Sequence, residues 1–210
     1  MNEREILKHL QKSAWEDVEY FSNRKKEERE RWVVSEFLSV LGLEYHDAEL
    51  QSLEQDNKAD VRFRNALFQV KELPDPNLRR GKMYKDVYKS IKEATSLQDV
   101  LLVGDARDVP PLASIYELVL EKAAELANSE TYKASKSGLD LLIYATRTRA
   151  SLIQSHEIKG EEFSDLGWRS VSCVNSKQAV VLFSSQFAPV FILEKVSKIN
   201  EQKWLTKPSI

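Results

Sequence analysis

The sequence contains one cysteine, Cys173, which excludes an internal disulfide and any metal site built from several thiolates. No apolar run approaches the roughly 20 residues that a membrane-spanning helix requires. Glycines are few and do not form the spaced patterns of phosphate-cradling or dinucleotide-binding loops. The histidines lie far apart without metal-ligand spacing, and no Gly-x-Ser-x-Gly turn is present. Thiolate metal proteins, nucleotide-loop enzymes and this class of serine hydrolase are therefore excluded.

The chain also lacks an excess of charge of one sign, because its net charge is −2 at pH 7. The broad positive field of many nucleic-acid-binding proteins is absent, so any such binding must depend on local basic clusters. The first residues are charged and carry no apolar leader, which predicts a cytoplasmic protein without a membrane contact. A hydrophobic content of 42% is enough for a core. We expect one α/β domain over 1–210, with a helical extension at 1–22 and a loosely ordered tail at 200–210.

Helical spacing of apolar residues predicts most of the helices. The first spans 2–21, and the second carries an apolar stripe from Val33 to Leu41 and ends at Gly42, a good C-terminal cap residue. The charged run between them leaves open whether the helix continues or breaks. Two further helices are predicted at 80–95 and 112–128.

Strands are predicted where short apolar or alternating runs lie between turn residues. A first strand is expected at Leu43–Leu50, followed by a polar connector and then by a β-hairpin. The nearly continuous apolar run Leu139–Thr146 predicts a strand covered on both faces. A late pair, Gly167–Val174 and Ala179–Phe183, has no assigned place beside this core. Residues 101–104 fit a short strand or a helix end, and 105–111 fit a loop.

The predicted hairpin, Asp60–Phe63 and Ala66–Lys71, carries the most informative polar residues. Side chains alternate along a strand, so Gln69 and Lys71 share one face and Asp60 lies opposite them on the neighbouring strand. An acid, an amide oxygen and an amine then meet at one edge of a sheet. Hydrolytic metal sites combine these groups, although solvated hairpins show the same alternation.

The second helix adds an acidic side chain to this pattern. Projected at about 100° per residue, Glu30 lies almost on the centre of the apolar stripe. A carboxylate directed toward a core is costly unless it is paired or binds a metal, but in a first helical turn it also suits the helix dipole. Glu27 and Glu36 remain alternatives for an acid on this helix.

An acid-bearing helix followed by Asp60 and Gln69-Val70-Lys71 resembles the PD-(D/E)XK restriction-endonuclease-like superfamily, with Gln in the second acidic position. Four further segments resemble a small bacterial family catalogued as candidate endonucleases of the same fold: Glu28-Arg29-Glu30-Arg31-Trp32-Val33, Ala59-Asp60-Val61-Arg62-Phe63, Leu139-Asp140-Leu141-Leu142-Ile143 and Gly167-Trp168-Arg169-Ser170. This resemblance implies a core of a helix, a three-stranded meander, a helix and a strand, with extra helices and a late strand pair.

The resemblance also implies roles for individual residues. Asp60, Gln69, the Val70 carbonyl and Glu30 would hold Mg²⁺ or Mn²⁺, and Lys71 would orient water or stabilise charge during phosphodiester hydrolysis. Because Gln is neutral, such a site carries one negative charge fewer and should bind a dication more weakly. The alternative function is a catalytically inactive binding or regulatory module with a nuclease fold.

A basic segment follows the hairpin. The start and middle of the third helix carry basic residues: Arg79, Arg80, Lys82, Lys85 and Lys89. The lysine stripe continues to Lys92. Such a stripe suits contact with a phosphate backbone, so nucleic acid, with DNA first, is the predicted partner. A solvated lysine face and a protein-binding Tyr/Lys helix are the alternatives. The sequence does not decide between a monomer and a homo-oligomer.

Overall fold

The computed structural model describes residues 2–54, 56–101 and 110–202. The chain divides into two compact units, one formed by 1–29 with 75–110 and the other by 30–74 with 111–210. The helices are α1 Glu3–Tyr20, α2 Lys26–Val40, α3 Arg80–Glu93, α4 Leu97–Leu101, α5 Ile115–Asn128, α6 Glu161–Ser164 and α7 Val190–Leu193. The strands are β1 Leu50–Ser52, β2 Val61–Phe63, β3 Ala66–Leu73, β4 Ala113–Ser114, β5 Asp140–Ala145, β6 Ala150–Ser151, β7 Ser170–Val174, β8 Gln178–Ser184 and β9 Ile199–Glu201.

The first unit is helical and contains α1, α3 and α4. A reciprocal cap begins α1, because the Asn2 side chain accepts from the Glu5 N–H at 2.9 Å and the Glu5 carboxylate accepts from the Asn2 N–H at 2.9 Å. Phe21, after α1, stacks on Tyr84 of α3 with ring centroids 4.3 Å apart. Aromatic stacking and apolar packing therefore join α1 to α3.

The second unit contains a mixed, mostly antiparallel sheet of seven strands in the order β1-β2-β3-β5-β7-β8-β9. At one end of the sheet β1, β2 and β3 pair antiparallel, and at the other end β7, β8 and β9 do so. In the middle, β5 lies parallel to β3 on one side and parallel to β7 on the other. Parallel neighbours need long crossovers, and α5 lies in the connection that returns the chain to β5. A separate two-stranded parallel pair joins β4 to β6.

Each face of the large sheet carries its own apolar core. On the α2 face, Val34 and Phe37 of α2 pack with Phe68 and Val70 of β3. On the α5 face, Val119 and Ala123 of α5 pack with Leu141 and Ile143 of β5, together with Trp168. The sheet therefore lies between helices, which explains the continuous apolar sequence of its central strand β5.

A buried ion pair fixes the hairpin turn to the parallel strands. Asp140, at the start of β5, is 1% exposed and accepts from the Arg169 guanidinium, from the Ser170 hydroxyl at 2.8 Å and from the Leu67 N–H at 3.0 Å. Arg169 also donates to the Asn65 carbonyl at 3.3 Å. These bonds satisfy the carboxylate and tie three neighbouring strands together at one end.

Most of the predicted helices are confirmed. The first and third predicted helices correspond to α1 and α3, and the helix predicted at 112–128 begins three residues later because β4 precedes it. The charged run breaks the helix, since Asn23–Lys25 forms a short 3₁₀ turn before α2. Gly42 follows α2 with φ +73°, the left-handed conformation expected at a helix end.

The hairpin and the late strand pair are also confirmed. Val61 pairs with Phe68 and Phe63 with Ala66, and Arg64 turns the chain with φ 51°. The late pair, β7 and β8, extends the large sheet from β5, a position that the sequence left open.

The first predicted strand, Leu43–Leu50, was wrong in its position. A 3₁₀ turn over Asp47–Glu49 takes its place, because the Glu49 carboxylate accepts from the His46 N–H at 3.0 Å and caps the turn. The strand β1 begins only at Leu50 and continues into the predicted connector. Local capping therefore delays the strand by seven residues.

Two predictions concern segments at the edge of the described chain. The tail predicted to be loose begins inside β9, which pairs with β8 through Asn200 and Ala179, while 203–210 lie outside the described residues. Of the segment 101–104, only Leu101 is described, as the end of α4; 102–104 and most of the predicted loop at 105–111 lie outside. Among the described residues, no helix is long and apolar enough to cross a bilayer.

Candidate functional site

Asp60 lies at the start of β2, directly across from the middle of β3. Its backbone N–H donates to the Phe68 carbonyl at 2.8 Å, which extends the hairpin ladder by one position. Its partly buried carboxylate accepts from the Val70 N–H at 2.9 Å and from the side-chain amide of Gln69. The hairpin register therefore brings Asp60 and Gln69 into direct contact.

Gln69 is a buried polar residue, with 3% of its surface exposed. Its amide nitrogen donates to the Asp60 carboxylate and also lies 3.3 Å from the Val70 carbonyl oxygen. Both partners are acceptors, which places the nitrogen rather than the oxygen of the amide between them. The Gln69 amide thus bridges two of the oxygen atoms that the sequence assigns to a metal.

Lys71 lies two residues after Gln69 and faces the same side of the sheet. Its ammonium nitrogen is 5.6 Å from the centroid of the Tyr132 ring, a cation–π distance. Tyr132 is 8% exposed and packs on the Trp168 ring at 5.7 Å. The Lys71 ammonium therefore lies against the buried Tyr132 ring, on the face of the sheet that Gln69 also occupies.

Glu30 belongs to α2, whose apolar stripe packs on the opposite face of the sheet from Lys71. The neighbouring Trp32 contacts Tyr144 of β5 edge to face, with ring centroids 5.5 Å apart. Glu72 points away from Lys71 and accepts from the Thr146 hydroxyl at 2.8 Å. The structure brings Asp60, Gln69 and Lys71 to one face, and it places the helix of Glu30 on the other.

The oxygen atoms around Asp60 are of the kind that bind hard cations. The Asp60 carboxylate and the Val70 carbonyl already lie beside the Gln69 amide, and rotation of that amide would present its oxygen instead of its nitrogen. Among the described residues, no group of three or more His, Cys, Asp or Glu side chains is arranged to hold a metal. The residues therefore fit a low-affinity cation site in which Asp60 supplies the one carboxylate seen in the group.

The sequence matches, over residues 2–204, the family described as "Putative endonuclease, protein of unknown function (DUF1780)". The chain belongs to the DUF1780 family. Among solved structures, it is similar to protein of unknown function PA4535 from Pseudomonas aeruginosa strain PAO1, described as a member of the monooxygenase superfamily. The two share 23% identity over 97% of each chain, with a TM-score of 0.60, a likeness of fold alone. No curated protein matches the chain.

The predicted nucleic-acid-binding residues of this DUF1780 chain lie in the first unit, at the start of α3. Arg79 and the lysines at positions 82, 85, 89 and 92 are exposed. The Arg80 guanidinium lies 5.6 Å from the centroid of the Phe21 ring, so this side chain also helps to join α3 to α1. The lysine face is therefore present as a solvent-accessible stripe.

Sequence reasoning missed Tyr132 as a neighbour of Lys71 in this DUF1780 protein. Tyr132 follows α5 in a polar turn, far from the hairpin in sequence, and no spacing connects it to Lys71. Trp168 is 1% exposed, and its neighbour Arg169 pairs with Asp140, a partner 29 residues away in the chain that no sequence spacing indicates.

Proposed function

We propose that this protein is a nuclease that hydrolyses phosphodiester bonds of nucleic acid at the Asp60 side of the β2–β3 hairpin. The observation that carries the proposal is the direct contact of the Asp60 carboxylate with Gln69 and Val70, with Lys71 on the same face. The family description, "Putative endonuclease, protein of unknown function (DUF1780)", supports the nuclease class but not a metal requirement.

The order of the elements supports a restriction-endonuclease-like core of the PD-(D/E)XK type. Along the chain, α2 precedes the antiparallel meander β1-β2-β3, α3 follows it, and β5 then pairs in parallel with β3. This is the order that the sequence resemblance implies. In this proposal, Asp60 and Gln69-Val70-Lys71 correspond to that superfamily's Asp and (Asp/Glu)-x-Lys motif, with Gln in the second acidic position.

In this proposal, Mg²⁺ or Mn²⁺ would be held by Asp60, the Gln69 amide oxygen and the Val70 carbonyl. The resemblance also implies Glu30 as a ligand, although α2 covers the opposite face of the sheet. A bound cation of this kind lowers the pKa of water and neutralises charge on a phosphate. Binding of the cation by the amide oxygen would require the Gln69 amide to rotate, and this would release the Asp60 carboxylate from its hydrogen bond. Lys71 stabilises negative charge that develops on the phosphate oxygens, and Tyr132 restricts where its ammonium can move.

The basic residues of α3 supply the contact with the phosphate backbone in this proposal. Arg79, Arg80, Lys82, Lys85 and Lys89 belong to this set, and DNA is the first substrate to test. Contacts of this kind position a nucleic acid without reading its sequence, and they weaken steeply as salt increases.

A second function is favoured by one observation. The Gln69 amide and the Val70 N–H satisfy the Asp60 carboxylate without a cation, and a neutral amide stands where an acid would raise metal affinity. These contacts suit a module that keeps the fold and binds nucleic acid without cleaving it. The two functions differ in whether Asp60 binds a metal.

The test compares wild type with Asp60→Asn in thermal unfolding, with and without Mn²⁺, and in cleavage of single-stranded and duplex DNA and RNA. A nuclease should gain stability with Mn²⁺ and cleave at least one substrate, and both effects should vanish in Asp60→Asn. Asp56→Asn, an exposed acid in the preceding connector, is the matched control and should behave as wild type.

The outcomes separate the two functions. Stabilisation by Mn²⁺ together with Asp60-dependent cleavage establishes the nuclease. No Mn²⁺ effect and no cleavage, with nucleic-acid binding retained, establishes the non-cleaving module. Cleavage that persists at the wild-type rate in Asp60→Asn would overturn the assignment of this site.

A further inference from the structure

The first unit presents an aromatic pair, an exposed tryptophan beside a partly buried tyrosine, that the proposed cleavage site does not use. Trp15 of α1 is 46% exposed, and its ring lies 5.2 Å from the Tyr88 ring of α3 at an interplanar angle of 53°. The packing of α1 on α3 already includes the stacked pair Phe21 and Tyr84. Trp15 therefore leaves much of a large aromatic surface open to solvent.

The aromatic pair borders the lysine stripe of α3. At about 100° per residue, Tyr88 lies roughly 40° from Lys92 and 60° from Lys85, on the side of the helix that approaches α1. The Lys92 ammonium is 5.9 Å from the centroid of the Tyr88 ring. Cationic and aromatic groups thus form one continuous surface, which we call the Trp15–Lys92 surface: Trp15, Lys82, Lys85, Tyr88, Lys89 and Lys92.

The lysines of this surface are not held in ion pairs within the described part of the chain. None of its four lysines forms an ion pair with a described residue, whereas Lys12, Lys25, Lys122 and Lys133 all do. From Lys82 to Lys92 the stripe is about 15 Å long, at roughly 1.5 Å per residue. A polyanion with several regularly spaced charges is complementary to it.

An exposed tryptophan beside such a stripe adds a requirement to the ligand. A chain of phosphates alone would contact the lysines but not cover the Trp15 ring. Stacking on Trp15 requires an aromatic ring in the same ligand. In a duplex the bases are stacked on one another and do not offer their faces, but in a single strand they do. The combination therefore fits unpaired nucleotides rather than a duplex.

We propose that the Trp15–Lys92 surface binds single-stranded nucleic acid, with a base stacked on Trp15 and the backbone along Lys82, Lys85, Lys89 and Lys92. This inference rests on the proposed action on nucleic acid, and it names the class of strand. It adds Trp15 and Tyr88 to the basic stripe that the sequence indicated, and it does not depend on cleavage at Asp60.

The test measures binding of the full chain in EDTA, so that no metal-dependent cleavage occurs. Fluorescence anisotropy would follow a labelled oligodeoxythymidine of about 16 nucleotides, alone and as a duplex with its complement. The single strand should bind more tightly than the duplex. Trp15→Ala should weaken single-strand binding by roughly 5- to 150-fold, the equivalent of one lost stacking contact.

Matched variants make the result specific. Trp32→Ala removes another half-exposed tryptophan, 43% exposed in the second unit, and should leave affinity unchanged. The double variant Lys85→Gln/Lys89→Gln should reduce the slope of log affinity against log salt by about 0.7 for each lysine. The double variant Lys122→Gln/Lys133→Gln should retain the wild-type slope.

Several results would overturn the inference: equal or tighter binding of the duplex, full affinity in a folded Trp15→Ala variant, or an equal loss in Trp32→Ala. Because Trp15 contacts Tyr88, the lysine variants provide a test that does not alter the α1–α3 packing. An unchanged salt slope in Lys85→Gln/Lys89→Gln would also overturn it. Binding without any cleavage in Mg²⁺ would instead refute only the nuclease.

Discussion

The side-chain amide of Gln69 donates a hydrogen bond to the carboxylate of Asp60 across the β2–β3 hairpin. The same nitrogen lies 3.3 Å from the Val70 carbonyl oxygen, and Gln69 is 3% exposed. A buried donor between two acceptors satisfies all three groups without a cation. The choice of Gln rather than Glu at position 69 therefore affects the stability of the hairpin, and in the proposed nuclease it would also lower the affinity for a metal ion.

Gln69→Glu is expected to lower the unfolding free energy of the metal-free protein and to increase its affinity for Mn²⁺. The new carboxylate would face the Asp60 carboxylate and lose the donated hydrogen bond, so unfolding free energy without metal should fall by about 1–3 kcal/mol. With Mn²⁺ at roughly 100 times its dissociation constant, the variant should recover about 2.7 kcal/mol. Urea unfolding with and without Mn²⁺ measures both effects. Gln51→Glu, at an exposed position in β1, is the control, and equal Mn²⁺ effects in the two variants would refute the prediction.

The pair formed by Asp140 and Arg169 should dominate the stability of the second unit. Arg169→Met leaves a carboxylate that is 1% exposed without its cation, and such a loss costs about 3–5 kcal/mol. Asp140→Leu combined with Arg169→Met removes both charges and should recover part of that cost. Urea denaturation measures the free energies of unfolding. Arg149→Met, at an exposed position, should change stability little, and a similar loss there would contradict the prediction.

Tyr116 is expected to make stability depend on alkaline pH. Burial, with a hydrogen bond to the Glu162 carboxylate at 2.7 Å, raises the pKa of the Tyr116 phenol from 10.0 to about 12. Between these values the unfolded chain releases the proton and the folded chain keeps it, so stability falls as pH rises from 10 toward 12. Below that range the contribution is complete.

The measurement for Tyr116 is the difference in unfolding free energy between wild type and Tyr116→Phe, followed from about pH 9 to about pH 12. The advantage of wild type should shrink as pH rises, because Phe has no proton to release. Tyr45→Phe is the comparison, since the Tyr45 hydroxyl bonds to Ser35 at 2.6 Å rather than to a carboxylate. If the difference in unfolding free energy between wild type and Tyr116→Phe stays constant over this range, Tyr116 is not the cause of the pH dependence.

Gly42 and Gly138 form a matched pair for testing the end of α2. A Cβ would meet nothing within 4 Å at either position, but only Gly42 has a left-handed conformation, with φ +73°. Gly42→Ala should therefore lower unfolding free energy by about 1–2 kcal/mol. Gly138→Ala should be neutral or stabilise by up to about 1 kcal/mol, because it restricts the unfolded chain. Thermal unfolding of both variants checks the prediction, and equal shifts would contradict it.

The sequence predicted the hairpin and its polar face because both are local features. Alternation along β3 placed Gln69 and Lys71 together, and the short turn at Arg64 fixed the register that sets Asp60 beside them. The first strand was misplaced because a local cap replaces it. The Glu49 side chain caps the turn at 47–49, and a pattern of apolar residues does not reveal such a polar contact. The roles of Asp60, Gln69, Lys71 and Glu30 in catalysis stay predictions.

The sequence by itself determined the longer helices, the β2–β3 hairpin, the late strand pair, which side chains of β3 share a face, and which family the chain belongs to. Only the tertiary structure decided that β5 lies between β3 and β7, that Tyr132 meets Lys71, and that α2 covers the face opposite Lys71. Periodicity records whether a side chain is buried, but not which distant segment buries it. Parallel pairing and the packing of helices on a sheet depend on contacts between residues far apart in the chain, and these follow from the whole fold.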